Sequence, residues 1–255
     1  MLPHVITGYE PQFDFPEFIG APGTPYLLAS VPRAGSTWFS HLLWQTGCLG
    51  APLEYLNFEP AGPSGNASRR PDLQNAVWNR AMRFRTSPNG VFGLKGFPVL
   101  FEELGRQNPD LLGRVMQTIL GPGTPRKVVY LRRRDRTAHA ISYARALLSG
   151  IWRSEQESPD RHEPAYSSEA IAKARALIES QEGAWQAMYA DLQIVPLELY
   201  FEDALEDGEG ARRMVADYLG VPLNPGLSMD VPEIRKQSVK GGTAWRRQYD
   251  ADIER

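Results

Sequence analysis

The chain has 255 residues, 42% of them hydrophobic, and its 28 Lys and Arg nearly balance 30 Asp and Glu for a formal charge of -2. That is enough apolar material for one substantial core, and the lack of a cationic excess excludes a general nucleic-acid binder working through a dominant basic face. The single cysteine, Cys48, excludes an internal disulfide, suits a reducing compartment and reads as a small core residue.

Residues 1–22 mix prolines and aromatics with Glu10, Asp14 and Glu17, and read as an irregular arm. They have neither the charged nor the apolar region of an export signal, and no later stretch approaches membrane-spanning length, so a cytoplasmic protein without membrane insertion is expected. Residues 26–31 form an aliphatic run that predicts a buried strand, followed by a helix over 38–46 that Gly47 stops. A short extended segment over 51–56 leads into a breaker-rich loop at 60–70, expected to be mobile, whose sequon at Asn66 is read as chance. A helix over 73–84, a strand over 91–95 and a strand over 127–131 come next. Asp135 is placed as the N-cap of a helix that runs to Leu148 and ends at Gly150. Residues 154–168 read as a charged surface loop, and 168–189 as a long helix with Ile171, Ala174, Leu177, Ile178, Trp185 and Met188 along one stripe. The strand at 193–200 contains Pro196, which argues for an edge or a bulge. Residues 200–203 should end that strand and cap a helix, a further helix at 210–219 stops at Gly220, and the tail from Val231 is basic, then mixed. Alternating strands and helices predict a single α/β domain over 1–255, with a central mostly parallel sheet, helices on both faces and a P-loop-like ligand site at the carboxyl ends of the strands.

Two such strand ends carry chemistry. After the first come Pro32, Arg33, Ala34, Gly35, Ser36 and Thr37, then Trp38. Strand, glycine turn and helix opening on hydroxyls is the arrangement that cradles a phosphate, because free backbone N–H groups and the positive end of the helix converge there. An ATP-type loop has Gly at both ends and Lys before the Ser/Thr. Here Gly35 directly precedes Ser36 and Arg33 enters ahead of the turn, which points to a phosphate-like group without a Mg²⁺-clamped triphosphate; an ordinary capped turn is the competing reading. After the third strand come Arg132, Arg133 and Arg134, with Ser142 about two helical turns on. They read as a second phosphate site, against the alternative of a solvated charge run, and side-chain alternation turns Arg133 opposite to its neighbours. Two separated phosphate sites without an ATP-type Lys describe 3′-phosphoadenosine 5′-phosphosulfate (PAPS), with no metal.

At this point the chain resembles the bacterial trehalose 2-sulfotransferase family. The resemblance runs through residues 26–37 and 46–55, then 89–95, 133–135, 140–146 and 150–152, and on through 170–172, 182–185, 232–237 and Trp245. It implies that Arg33, Gly35, Ser36 and Thr37 hold the 5′-phosphosulfate end of PAPS, with Ala34 and Trp38 also among the cofactor-binding residues and Arg33 catalytic as well. It likewise implies that Arg133 and Ser142 hold the 3′-phosphate, that Glu54 is the general base, and that the 236–245 segment, with Lys236, closes over the cofactor. Lys240, Gly241 and Gly242 depart from the family pattern, and the stretch between Glu54 and Asn89 is shorter than the trehalose enzymes lead one to expect. The implied acceptor is therefore a hydroxyl of a carbohydrate or another small molecule, with a homodimer left open.

Sulfuryl transfer needs positioning and charge stabilisation, plus a base for the acceptor proton. Phe97 stands two residues after Lys95, where animal-type sulfotransferases carry a His. His4, His41, His139 and His162 sit in the arm, in helices and in a charged loop, and read as packing or surface residues. Glu54, between Leu53 and Tyr55, is the better base, since burial raises a carboxyl's basicity. Lys95 either assists the leaving phosphate or pairs with a carboxylate. A P-loop-type kinase or NTPase and a non-catalytic nucleotide-binding protein are the alternative functions.

Overall fold

Three short apolar runs form the middle of the fold: β1 (Thr24–Ala29), β2 (Val91–Gly96) and β3 (Lys127–Arg132), with β4 (Leu197–Tyr200) beside β3. They are seen in a computed structural model that describes residues 6–152, 156, 163–234 and 239–253. The order is β2-β1-β3-β4 and every pairing is parallel, with Leu27 opposite both Leu94 and Val128, and Val129 opposite Leu197. Such a sheet must be covered on both sides, which is why its strands are apolar without alternation. Leu27, Ala29, Phe92, Leu94, Val128 and Tyr130 feed one core, while Tyr26, Leu28, Val91, Val129, Leu131 and Leu199 feed the other.

The helices are α1 (Ser36–Trp44), α2 (Pro71–Phe84), α3 (Pro98–Gln107), α4 (Pro109–Leu120), α5 (Arg136–Ser149), α6 (Ser168–Leu192), α7 (Phe201–Glu206), α8 (Gly208–Leu219) and α9 (Val239–Ile253). Phe39 and Leu43 of α1, Ala204 of α7 and Val215 of α8 cover the second core; Trp78 of α2, Leu104 of α3, Val115 of α4, Ile141 of α5 and Trp185 of α6 cover the first. Each large side chain buried this way contributes about 2 kcal/mol of transfer free energy.

Most predicted elements lie where the sequence places them, with three differences. The 98–120 region, to which the sequence reading assigned no element, holds α3 and α4. Their signals are Pro98 and Pro109 in the first turn, Asn108 capping α4 by accepting from Leu111 N–H, and Leu100/Leu104 and Leu111/Val115/Ile119 at four-residue spacing. The last strand begins only after Pro196 and has four residues, at the sheet edge that a missing N–H tolerates. Residues 200–203 end β4 and open α7 but supply no side-chain cap; Glu202 and Asp203 bond to the arginine run instead. The loop at 60–70 contains a 3₁₀ turn, Gly65–Ala67, with Ala67 buried.

Two features outside the sheet place the site. The buried Arg85 guanidinium donates to the Gly8 and Glu10 carbonyls and lies 3.0 Å from Asp14, fixing the arm over Trp44. The segment after α1 runs beside β2, with Leu53 bridged to Leu94 and Lys95 N–H donating to Leu53 O at 3.1 Å, so Glu54 arrives next to Lys95. Cys48 is fully buried, its sulfur accepting from Asn224 N–H.

Candidate active site

The loop after β1 is held from three sides. Ser30 Oγ donates to Leu131 O at 2.9 Å, Trp185 Nε1 donates to Ser30 O at 2.7 Å, and His139 Nε2 donates to Pro32 O at 2.8 Å. Burial pushes His139 down to about 4, so its imidazole is neutral and serves as a fixed donor. Arg33 takes a left-handed backbone (φ 73°), and so does Gly35 (φ 85°). At Gly35 a Cβ would sit 2.2 Å from the Phe201 ring, so glycine is required there both by conformation and by space. Helix α1 starts directly afterwards without a side-chain cap, and the amides of Gly35, Ser36, Thr37 and Trp38 meet no acceptor among the described residues. A helix end with open N–H groups is an anion site.

Arg133 is the arginine of the run that faces this loop. Its Nη1 donates to Arg33 O at 3.3 Å, and its guanidinium lies 5.9 Å from the Phe201 ring centroid. Its Nε is buried without a hydrogen-bond partner, the Glu202 carboxylate standing 3.8 Å off. Burial holds this guanidinium below the usual arginine value even though Glu202 and Asp135 pull the other way. A desolvated, incompletely paired arginine is suited to an incoming anion. Arg132 turns instead to Glu182 and Glu198, and Arg134 to Asp203, as the alternation expected. Asp135 caps α5 by accepting from Ala138 N–H at 2.8 Å.

Arg33 and Ser142, assigned to opposite ends of one nucleotide, are neighbours: Arg33 Nε donates to Ser142 Oγ at 3.2 Å, and Nη1 to Trp152 O. Trp38 packs edge-on against Phe201 at 5.8 Å between centroids. Phe201 and Glu202 were read in the sequence only as a strand end and helix cap, yet Phe201 backs Gly35 and Arg133, and Glu202 accepts from the Arg134 and Asp135 amides at 2.9 and 3.2 Å. Their only signal was position, at the carboxyl end of a strand beside the arginine run.

Across the loop lies a chain of polar contacts. Lys95 Nζ donates to Thr37 Oγ1 at 3.0 Å and lies 2.9 Å from Glu54 Oε1, with both side chains buried. Glu54 Oε2 accepts from Asn57 Nδ2 at 2.9 Å, and Glu54 N–H donates to the Tyr9 hydroxyl at 3.0 Å. Lys95 therefore pairs with a carboxylate and also touches the candidate phosphate loop. Lys236, His4 and His162 lie outside the described residues. At the end of the 236–245 segment buried Trp245 donates to Pro164 O, and the next residue, Arg246, lies 3.2 Å from Asp135, the cap of α5. His41 and His139 both turn a ring nitrogen to a backbone carbonyl.

Among the described residues no trio of His, Cys, Asp or Glu is placed to hold a metal, and no helix is long and apolar enough to cross a membrane. A surface hollow of about 590 Å³, lined by Trp78, Asp110 and Arg114, lies among α2 and α4, away from the phosphate loop.

Comparison with known proteins gives a consistent picture. A family model described as Stf0 sulphotransferase matches residues 25–252. The trehalose 2-sulfotransferase of Mycobacterium tuberculosis is 25% identical over 259 residues, covering 91% of this chain and 96% of that protein. Its counterpart in Mycolicibacterium smegmatis is 23% identical over the same shares. A solved sulfotransferase domain from the curacin biosynthetic pathway aligns with 87% of this chain and 82% of its own, at 15% identity and a TM-score of 0.48.

Proposed function

This chain belongs to the Stf0 sulphotransferase family and is a sulfotransferase, and from that premise we propose that it moves the sulfuryl group of PAPS to a hydroxyl of a carbohydrate or similar small polyol, with Glu54 as general base. The observation that carries the proposal is the contact chain Thr37–Lys95–Glu54, which sets a buried carboxylate one ammonium away from an open helix N-terminus.

The residues fit such a donor. The open amides of α1, with Ser36 and Thr37, would take the 5′-phosphosulfate end, and Arg133, with its unpartnered Nε, the 3′-phosphate. Arg33 and Ser142 are hydrogen-bonded to each other, with Arg33 O accepting from Arg133, and the Trp38–Phe201 pair offers aromatic surface for the adenine. In the transfer, Glu54 accepts the proton of the acceptor hydroxyl as its oxygen bonds to sulfur, while the bond from sulfur to the 5′-phosphate oxygen breaks. Lys95 and the α1 amides stabilise the charge that gathers on that leaving oxygen. The ion pair keeps Glu54 in its proton-accepting form in a buried setting where an unpaired carboxylate would be costly.

The relatives' acceptor makes trehalose the first to try, followed by a panel of hydroxylated metabolites. With PAPS and a true acceptor, 3′-phosphoadenosine 5′-phosphate (PAP) and a sulfated product should accumulate in equal amounts, measured by chromatography and mass spectrometry. Turnover of ATP without turnover of PAPS would replace this reading with the kinase or NTPase one.

A further inference from the structure

Glu54 is held at both carboxylate oxygens, and the second hold has a consequence for how the base is aimed. Oε1 faces Lys95, and Oε2 accepts from Asn57 Nδ2. A side-chain amide can turn over, and a turned Asn57 would set oxygen against oxygen. The far end of the amide prevents it: Asn57 Oδ1 accepts from Glu59 N–H at 3.3 Å, which leaves only Nδ2 for Glu54. That Glu59 belongs to a tight turn, with Gly62 N–H donating to Glu59 O at 2.7 Å, and a Cβ at Gly62 would come within 2.3 Å of Asn57 Oδ1. The turn is folded directly over the amide. Asn57 N–H also donates to Glu54 O at 3.1 Å, so main chain and side chain hold the same pair of residues together.

We propose that Asn57 is a positioning residue for the base: its amide fixes the direction of one Glu54 oxygen and ties it to the turn at 57–62. The inference rests on the reading of Glu54 as base. A carboxylate clamped by Lys95 at one oxygen and by Asn57 at the other keeps its remaining lone pairs in a set direction, which is what a base needs before the acceptor arrives. Because the clamp continues into Glu59 N–H, an acceptor that moves the turn also moves the base.

The titratable groups facing Glu54 are Lys95 from β2, Glu59 from the turn and Tyr9 from the arm. Burial, followed by the charges of Glu54 and Glu103, holds Glu59 above the usual carboxylate range. A neutral amide at 57 thus separates carboxylates already close to one another, and an acid there would oppose ionisation of Glu54 directly.

The test follows the Glu54 carboxyl by ¹³C NMR across a pH titration of ¹³C-glutamate-labelled protein, with the signal assigned by its loss in Glu54→Gln. In Asn57→Asp the titration midpoint should rise by about one pH unit or more, the usual effect of a like charge in contact. In Asn57→Ser, which deletes the bond and adds no charge, the midpoint should rise by less. In that variant kcat with PAPS and trehalose, or the first acceptor found, should fall about tenfold, with a smaller change in acceptor KM. The serine variant keeps the question open to measurement if the aspartate variant does not fold. Midpoints and kcat indistinguishable from wild type would overturn the inference. If Glu54→Gln retains near-normal turnover, the base reading itself fails. If Glu54→Gln is inactive while both Asn57 variants behave as wild type, only the role of Asn57 falls.

Discussion

Glu54 and Arg133 carry the two sharpest consequences at the scale of single residues. Glu54→Gln keeps the shape, but it offers a single acceptor oxygen to Lys95 and Asn57 and cannot take up a proton, so kcat should fall by roughly two to four orders of magnitude. Binding of PAP should barely change, because Glu54 touches Lys95, Asn57 and the arm rather than the α1 amides. Steady-state turnover paired with PAP titration calorimetry checks this, and a variant with near-normal kcat would demote Glu54 to a wall of the site. Arg133 is half-buried with a buried, unpartnered Nε, so its loss removes the donor proposed for the 3′-phosphate. In the wild type, PAP should raise Tm more than AMP does, by linkage to native-state binding. Arg133→Ala should bring the two shifts together, and a PAP–AMP difference that survives the substitution would reassign the 3′ site. Both residues were candidates in the sequence, Glu54 between apolar flanks and Arg133 at the end of a strand, their roles being implied by the resemblance. Asn57, Phe201 and Glu202 were not, because what matters about them is a contact partner distant in sequence or the direction of a side chain.

Among the elements, α5 and the β1–α1 loop are coupled through His139. Its folded value of about 4 lies below the ordinary 6.5, with burial as the main cause. Between those values the unfolded chain binds a proton that the native protein does not. Stability should therefore fall as pH drops from about 6.5 toward 4, by up to about 3 kcal/mol from this group, and then no further. His139→Gln keeps a side-chain donor for Pro32 O and should flatten that part of the profile, measured as the urea midpoint against pH. An unchanged slope would show that other groups carry it. The elements themselves were largely readable because buried parallel strands must be continuously apolar. The helices α3 and α4 were the exception. The sequence reading left 98–120 unassigned, although Pro98 and Pro109 each sit in a first turn where a missing N–H costs nothing.

For the molecule as a whole, the arm is part of the domain rather than an appendage. Arg85 reaches the Gly8 and Glu10 carbonyls and Asp14 from within the core, and Tyr9 reaches the Glu54 amide. Arg85→Ala leaves the Gly8 and Glu10 carbonyls without their donor and removes one of the two cations beside Asp14, the other being Arg80, and should cost on the order of 3 kcal/mol, a fall in Tm of about 10 °C. Because the arm touches the base, kcat should drop more than the affinity for PAP. Calorimetric Tm together with kinetics on the variant checks both, and an unaltered Tm would show that the arm is only loosely attached.

The sequence by itself determined the sheet, the loop that opens α1 and the arginine run, because these depend on local spacing: apolar runs, a glycine before Ser36 and Thr37, and charge gathered at a strand end; the family came from a resemblance along most of the chain. Only the tertiary structure decided that Arg133, rather than Arg132 or Arg134, turns toward the loop, that Arg33 meets Ser142, and that Lys95 joins Thr37 to Glu54. Those pairings span 41 to 109 positions along the chain. They arise because parallel crossovers bring distant strand ends to one edge of the sheet, where burial then forces each charged group to find a partner.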